Sequence, residues 1–377
     1  MKVTTIGIIG GGQLARMLTL AAKPLGLDVV VLDAGENGPA VQVGARQIKG
    51  DLYDAAAIAK LAKASDVVTI EIEHLNVEAL QAIEAAGTPV HPAPATIAMI
   101  QDKYQQKVTL HKQGFPTAEF AELDSLEVAR EVLAHYGGVM IVKTRHGAYD
   151  GRGNMVVQSE DELAAAWQKF AGQKLYAEKL VDFTKELAVM VARDTQGDVL
   201  TYPVVETVHE RNICVEVRAP AAIDDNVRQE TENLAREVAE KVLKGAGVFG
   251  IEMFLAANGD VLVNEIAPRV HNSGHYTMDA CTTGQFEQHI RAVARLPLGL
   301  VAMHSPAAAM INILGERDGP TDVQGLEKAL AIDGVHVHLY GKSPTKVDRK
   351  MGHINALAAT LEQAKIRAHT AREKMEI

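Results

Sequence analysis

The chain has 377 residues, 47% of them hydrophobic, and a formal net charge of −10. That length supports two or three domains with a large buried core, and the composition excludes a disordered chain. No apolar run approaches a membrane span, Lys2 leads at once into a strand pattern rather than a signal segment, and the acidic balance argues against bulk nucleic-acid binding. Residues 3–9 (VTTIGII) read as a strand, GGGQLARMLTLAAKPLG opens a helix, and residues 27–33 (LDVVVLD) form a second strand. Residues 54–63 read as a helix, ASDVVTIEIE as a strand and residues 77–86 as another helix. Strands alternating with helices predict an α/β unit with a parallel, doubly wound sheet.

Within that unit, Gly10, Gly12 and Ala15 match G-x-G-x-x-A after a strand, and Asp33 ends the next strand where a ribose-binding acid would lie. The competing reading is that the glycines admit a different phosphate or polar ligand to a helix N-terminus. Gln13 and Arg16, polar in the first helical turn, favour a small ligand over a pyrophosphate.

The middle of the chain bears on that choice. Residues 138–143 (GVMIVK) form an apolar strand ending at Lys143, TRHGAYDGRGN follows, and MVVQ is a returning strand. A glycine-rich loop between two short strands can close over phosphates, with backbone N–H groups as donors and Lys143 reaching the oxygens. A plain mobile hairpin explains the glycines but not Lys143, Arg145, Tyr149, Asp150 and Arg152 together. Residues 174–183 (KLYAEKLVDF) alternate to an edge, and residues 184–194 (TKELAVMVARD) form another strand. Backbone groups of residues 178–181 can pair with an adenine edge and Glu186 can hold a ribose hydroxyl; the alternative is a merely solvated strand acid.

Glu252 lies in the apolar run VFGIEMFLA, and Glu265 follows in VNEIAPRVHNSGHYT (265 − 252 = 13 residues later). The turn residues Asn258, Gly259 and Asp260 between them predict a β-hairpin. Two carboxylates beside a buried layer call for a compensating cation. With the amide of Asn264 they suit Mg²⁺, or Mn²⁺ in its place, shared with nucleotide phosphates. The bland alternative is a hairpin whose acids face solvent. Beyond it, Arg269, His271, Asn272, Ser273, Gly274 and His275 form a polar loop with no evident packing role. Cys214 and Cys281 make neither a disulfide framework nor a metal spacing, so a reducing cytoplasm is expected.

The order of Lys143, a glycine flap, E-K-L-V, a strand acid and the set Glu252, Asn264 and Glu265 resembles the ATP-grasp superfamily. Within it, GIIGGGQLARML, YDGRG and NEIAPRVHNSGH are similar to the N5-carboxyaminoimidazole ribonucleotide synthase family of purine biosynthesis, across about residues 3–355. HNSGH is the most specific part. The resemblance implies an α/β (α+β overall) fold in three parts. These are a Rossmann-like sheet over residues 1–100 that binds no dinucleotide, an ATP-grasp domain over 101–298 with a flap subdomain near 117–182, and a small C-terminal domain over 299–377. It also implies a homodimer. Ala148 and Asn154 depart from the glycine and glutamine usual in the family.

Carried over position by position, the resemblance implies ATP contacts from Lys103, Lys143, Gly147, Ala148, Tyr149, Asp150, Gly151, Arg152, Gly153, Asn154, Glu178, Lys179, Leu180, Val181, Glu186, His209, Asn264 and Glu265. Metal would sit on Glu252 and Glu265. Aminoimidazole ribonucleotide and bicarbonate would be met by Gln13, Glu73, His271, Asn272, Lys342, Arg349 and Lys350, with Tyr149, Asp150, Arg152 and Arg269 in the catalytic group. Without the resemblance, His209 reads as a surface histidine and GKSPTKVDRK as a solvated basic loop. The implied reaction passes the γ-phosphoryl of ATP to bicarbonate, giving carboxyphosphate. This breaks down to CO₂ and phosphate, and the exocyclic amine attacks the carbon. Cations around the phosphates and exclusion of water are what that chemistry needs. The other readings are a different ATP-grasp carboxylate–amine ligase, an NAD-dependent oxidoreductase, and a nucleotide-binding protein with a dead site. Intact Lys143, Glu252, Asn264 and Glu265 argue against the last.

Overall fold

The computed structural model describes residues 2–147 and 153–377. Near the N-terminus, four parallel strands lie in the order Arg46–Lys49, Asp28–Asp33, Thr5–Ile9, Val67–Ile70. The inner strands are near-continuous apolar runs because both faces are covered. Leu14, Met17 and Leu18 of the helix Gln13–Ala22 cover one face, and Ile58, Leu61 and Leu80 of two other helices cover the second. This is the expected doubly wound sheet. Its edge strand Arg46–Lys49 (RQIK) is half exposed and carries one apolar residue, so it leaves no periodic trace in the sequence.

A nine-stranded antiparallel sheet forms the centre. Its path runs Val261–Ala267, Gly247–Ala256, Phe183–Arg193, Val205–Glu210, Ile213–Ala219, Ala307–Leu314, Lys350–Ala358, Val335–Leu339, with Val199–Thr201 paired beside Phe183–Arg193. Alternation along Phe183–Arg193 feeds two cores. Leu187, Val189 and Val191 pack with Ala235, Val238 and Ala239 of the helix Asp225–Lys241. Ala188, Met190 and Ala192 pack with Phe286, Ile290 and Val293 of the helix Gln285–Val293. Ile213–Ala219 hydrogen-bonds to Ala307–Leu314, so strands on either side of residue 298 share this sheet. The helix Leu361–Glu373 closes the far end through Ala364, Ala368 and Ala371.

A smaller antiparallel sheet has the order Phe120–Leu123, Leu175–Lys179, Met140–Thr144, Asn154–Val157. Two helices, Leu126–His135 and Glu160–Lys169, back it; Ser125 and Ser159 cap them, each Oγ accepting a backbone N–H at 3.2 Å. Leu175–Lys179 is an inner strand here rather than an edge. Partners on both sides satisfy its backbone, and four of its five residues are buried.

Candidate active site

The predicted hairpin is present, and its register explains its chemistry. Glu252 stands directly opposite Glu265, but the next pair is Met253 with Val263, so Asn264 is an extra residue in a β-bulge. The bulge breaks strict alternation and leaves Asn264 and Glu265 both partly exposed toward one cleft, while Val263 and Ile266 are buried. The helix Lys103–Lys112 fixes the outer strand. Lys103 Nζ donates to both oxygens of Glu265 at 2.8 and 2.9 Å. The Gln106 amide grips Ile266, accepting its N–H at 3.0 Å and donating to its carbonyl at 3.3 Å. Nothing local in the sequence marks Gln106 for this.

The electrostatics follow from the crowding. Burial, reinforced by Glu265 opposite and offset by His209, pushes the Glu252 carboxyl up to about 7. Burial opposes charge on His209, but Glu186 at 3.1 Å raises its pKa above the ordinary value. Lys103 is likewise held charged against burial by Glu265. Two facing carboxylates and an amide oxygen, with one carboxyl driven toward protonation, form a donor set that a hard divalent cation fits. Both acids line a cleft, with the Glu265 side chain 43% exposed and held by Lys103.

That cleft, of about 340 Å³, brings together Lys103, Lys143, Asn154, Glu186, His209, Glu252, Asn264 and Glu265. Ile141, Phe183 and Phe254 add an apolar side, with the two phenylalanine rings stacked at 4.7 Å. The aromatic pair escaped sequence reading because it forms across two strands. Glu178 is buried behind the cleft, its carboxylate 3.0 Å from Lys143 Nζ. Lys179, Leu180 and Val181 line a neighbouring hollow instead, with Thr117 and Ala257. Gly147 has φ of 74°, a left-handed backbone suited to glycine, and the Gly153 carbonyl accepts from the Thr144 N–H at 2.9 Å. Ala148, Tyr149, Asp150, Gly151 and Arg152 lie outside the described residues. Arg145 does not face the cleft; it pairs with Asp102 and Glu122 and lies 4.9 Å over the Tyr104 ring, tying the flap base to the helix start.

A second cleft of about 670 Å³ adjoins the first and gathers Gln13, Glu73, Arg269, His271, Asn272, Lys342, Arg349 and Lys350. Glu73, Arg269, His271, Asn272 and Lys350 line both. Arg269 grips Glu73 bidentately at 2.6 and 3.1 Å. Burial works against the Glu73 charge, yet Arg269 holds it down at about 2. Burial, then Arg269 and Lys350, lowers His271 to about 3, so its imidazole is neutral.

The loop after the hairpin is packed, contrary to expectation. Ser273 and His275 are buried. Gln285 donates to the His271 carbonyl at 2.8 Å and accepts its N–H at 2.9 Å. Asn272 and Asn312 exchange amide hydrogen bonds at 2.9 and 2.7 Å. These partners lie 14 and 40 residues downstream, beyond any local motif.

The glycine fingerprint also resolves physically. The half-buried Glu71 carboxylate occupies the N-terminus of Gln13–Ala22, accepting from the N–H groups of Gly12 and, at 2.7 Å, Ala15. Asp33 accepts the Gly11 N–H at 2.9 Å. The donors a pyrophosphate would use are therefore taken by the chain's own acids. Gly10, at φ of 103°, permits the approach: a Cβ there would lie 2.4 Å from Glu71 Cγ.

A parallel sheet, a central antiparallel sheet and a smaller antiparallel sheet around a cleft with lysines and paired hairpin carboxylates define an ATP-grasp enzyme. Family comparison agrees: the ATP-grasp domain matches residues 108–286, the ribonucleotide synthetase preATP-grasp domain residues 3–101, and the phosphoribosylaminoimidazole carboxylase C-terminal domain residues 308–367. The chain is 42% identical to the N5-carboxyaminoimidazole ribonucleotide synthase of Synechococcus elongatus, over 93% of this chain and 89% of that one. It is 45% identical to the phosphoribosylaminoimidazole carboxylase of Ogataea methanolica, over 98% of this chain and 69% of that one. The chain spans about two thirds of the length of such fungal relatives. Among solved structures, the N5-carboxyaminoimidazole ribonucleotide synthetase of Thermotoga maritima superposes with a TM-score of 0.90 at 42% identity, covering 100% and 99% of the two chains. The Aspergillus clavatus synthase in complex with ADP and 5-aminoimidazole ribonucleotide gives 0.91 at 38%, covering 99% and 98%. The chain belongs to the N5-carboxyaminoimidazole ribonucleotide synthase family, an ATP-dependent carbon–nitrogen ligase family of purine biosynthesis.

Proposed function

We propose that this enzyme carboxylates 5-aminoimidazole ribonucleotide with bicarbonate at the expense of ATP, giving N5-carboxyaminoimidazole ribonucleotide, ADP and phosphate. The observation that carries the reading is the shared wall of the two clefts: Glu73, Arg269, His271, Asn272 and Lys350 face both. A phosphoryl donor held in the first cleft would thus open directly onto a basic pocket suited to a ribonucleotide. The relative solved with ADP and 5-aminoimidazole ribonucleotide supports this pairing of ligands.

In this reading Phe183 and Phe254 flank the nucleotide base, Glu186 and His209 meet its ribose, and Lys103 and Lys143 orient its phosphates. Glu252, Asn264 and Glu265 would hold Mg²⁺, which when bound neutralises charge on the phosphate oxygens. A bicarbonate oxygen takes the γ-phosphoryl group, ADP leaves, and carboxyphosphate forms. Its C–O bond to phosphate then breaks, releasing phosphate and CO₂. The exocyclic amine bonds to that carbon and gives up a proton, leaving a carbamate. Arg269, fixed by Glu73 at the seam, would hold the anionic intermediate, and neutral His271, whose Nδ1 accepts the Ser273 N–H, would offer its Nε2–H as a donor there. Asp150 is assigned to orient the amine and Arg152 to hold carboxyphosphate. Lys342, Arg349 and Lys350 are assigned to the substrate phosphate. Lys342 is pre-placed by its 2.7 Å bond to the Lys350 carbonyl.

The proposed domain limits stay at residues 100 and 298, the proposed assembly is a homodimer, and the proposed setting is the cytoplasm. No helix among the described residues is long and apolar enough to cross a membrane. The test is ADP release measured with each substrate omitted in turn. Release should require bicarbonate and rise with the ribonucleotide; release indifferent to both would overturn the reading.

A further inference from the structure

Lys107, on the helix Lys103–Lys112, is buried behind the nucleotide cleft and does not line it. Its Nζ lies 3.5 Å from Glu178 Oε1 and donates to the Val263 carbonyl at 3.5 Å. Across the same carboxylate, Lys143 Nζ is 3.0 Å from Glu178 Oε2, and the Tyr176 hydroxyl donates to Oε1 at 3.1 Å. Two ammonium groups therefore share one buried carboxylate, with the Lys107 and Glu178 side chains each only 3% exposed. One lysine would be enough to neutralise Glu178, and a buried lysine is unfavourable unless its charge is required. Burial lowers the Lys107 pKa, with Glu178 acting against it. Despite its own burial, Glu178 is held at about 2 by Lys107 and Lys143 together. The two lysines differ in one respect: Lys143 also lines the nucleotide cleft.

We propose that Lys107 is a positioning residue that keeps Glu178 paired when Lys143 turns from it to the nucleotide phosphates. The exchange is then between two anions for Lys143, with no charge stranded. Without Lys107, Lys143 is the one remaining ion-pair partner of Glu178 among the described residues, and moving it would leave a buried carboxylate uncompensated. This inference rests on the functional reading only in taking the first cleft as the nucleotide site.

The test is MgATP affinity by titration calorimetry, without ribonucleotide or bicarbonate, on wild type, K107M and K107M/E178Q. K107M keeps the length of the stem and leaves Lys143 and Glu178 as a neutral pair. It should weaken MgATP binding about tenfold or more. The added E178Q should restore most of that loss, because a neutral amide no longer retains Lys143. In turnover, K107M should raise the ATP KM and leave the ribonucleotide KM unchanged. Wild-type affinity in K107M, or an equal loss in the double variant, would overturn the proposal. Should K107M not fold, the comparison moves to the E178Q background, where adding K107M should cost nothing and a further tenfold loss overturns the inference. A wild-type protein that does not bind MgATP would instead bring down the functional reading itself.

Discussion

Glu73 and Arg269 form an ion pair that bears on stability at the wall of the candidate site. Both side chains are under 20% exposed, and their bidentate contact sits on the wall between the clefts. The Glu73 pKa falls from 4.5 to about 2. A depressed acid stabilises the fold fully above its unfolded value and loses that contribution as pH drops toward the folded one. The size of the depression corresponds to roughly 3 kcal/mol. Glu73→Gln should therefore destabilise the protein by about that much at pH 7, leaving Arg269 buried without its counter-charge. The gap to wild type should narrow between pH 4.5 and 2, where wild-type Glu73 itself becomes protonated. Urea unfolding across that window checks this; a gap that stays constant would mean Glu73 is not an ionised partner.

At the scale of elements, the strand Phe183–Arg193 was readable because every residue from Leu187 to Ala192 feeds one core or the other. The short edge strands Arg46–Lys49 and Phe120–Leu123 were not, since neither buries enough side chain to impose a pattern. Lys143, Glu186 and the pair Glu252 and Glu265 were readable as residue types at set spacings, whereas Lys103, Glu73, His209, Lys342, Arg349 and Lys350 came only through the family resemblance. Glu71, Gln106, Lys107 and Asn312 were invisible because each acts through a partner far along the chain. Glu71, for example, reaches back 56 residues to the Ala15 N–H. That contact turned an apparent dinucleotide fingerprint into a self-capped helix. NADH should accordingly give no thermal protection, whereas MgATP at a hundred times its Kd should add roughly 2.7 kcal/mol, visible as a melting shift. A shift with NADH and none with MgATP would contradict both the capping argument and the nucleotide cleft.

Across the whole molecule, the central sheet is what joins the two clefts. Lys350 begins a strand that pairs with Ala307–Leu314, which in turn pairs with Ile213–Ala219. A residue from the C-terminal region is thereby carried to the shared wall. Lys350→Ala should raise the ribonucleotide KM about tenfold or more, the scale of a lost charge-assisted contact, while the ATP KM changes little. An effect on the ATP KM alone would place Lys350 with the nucleotide instead.

The central claim is that the γ-phosphoryl group passes to bicarbonate before carbon reaches the amine. Turnover with bicarbonate labelled with ¹⁸O at all three oxygens tests it directly, by mass analysis of the phosphate released. Transfer through carboxyphosphate leaves one bicarbonate oxygen on phosphorus when the C–O bond breaks, so each phosphate should carry one ¹⁸O. Unlabelled phosphate accompanying normal carbamate formation would contradict the account.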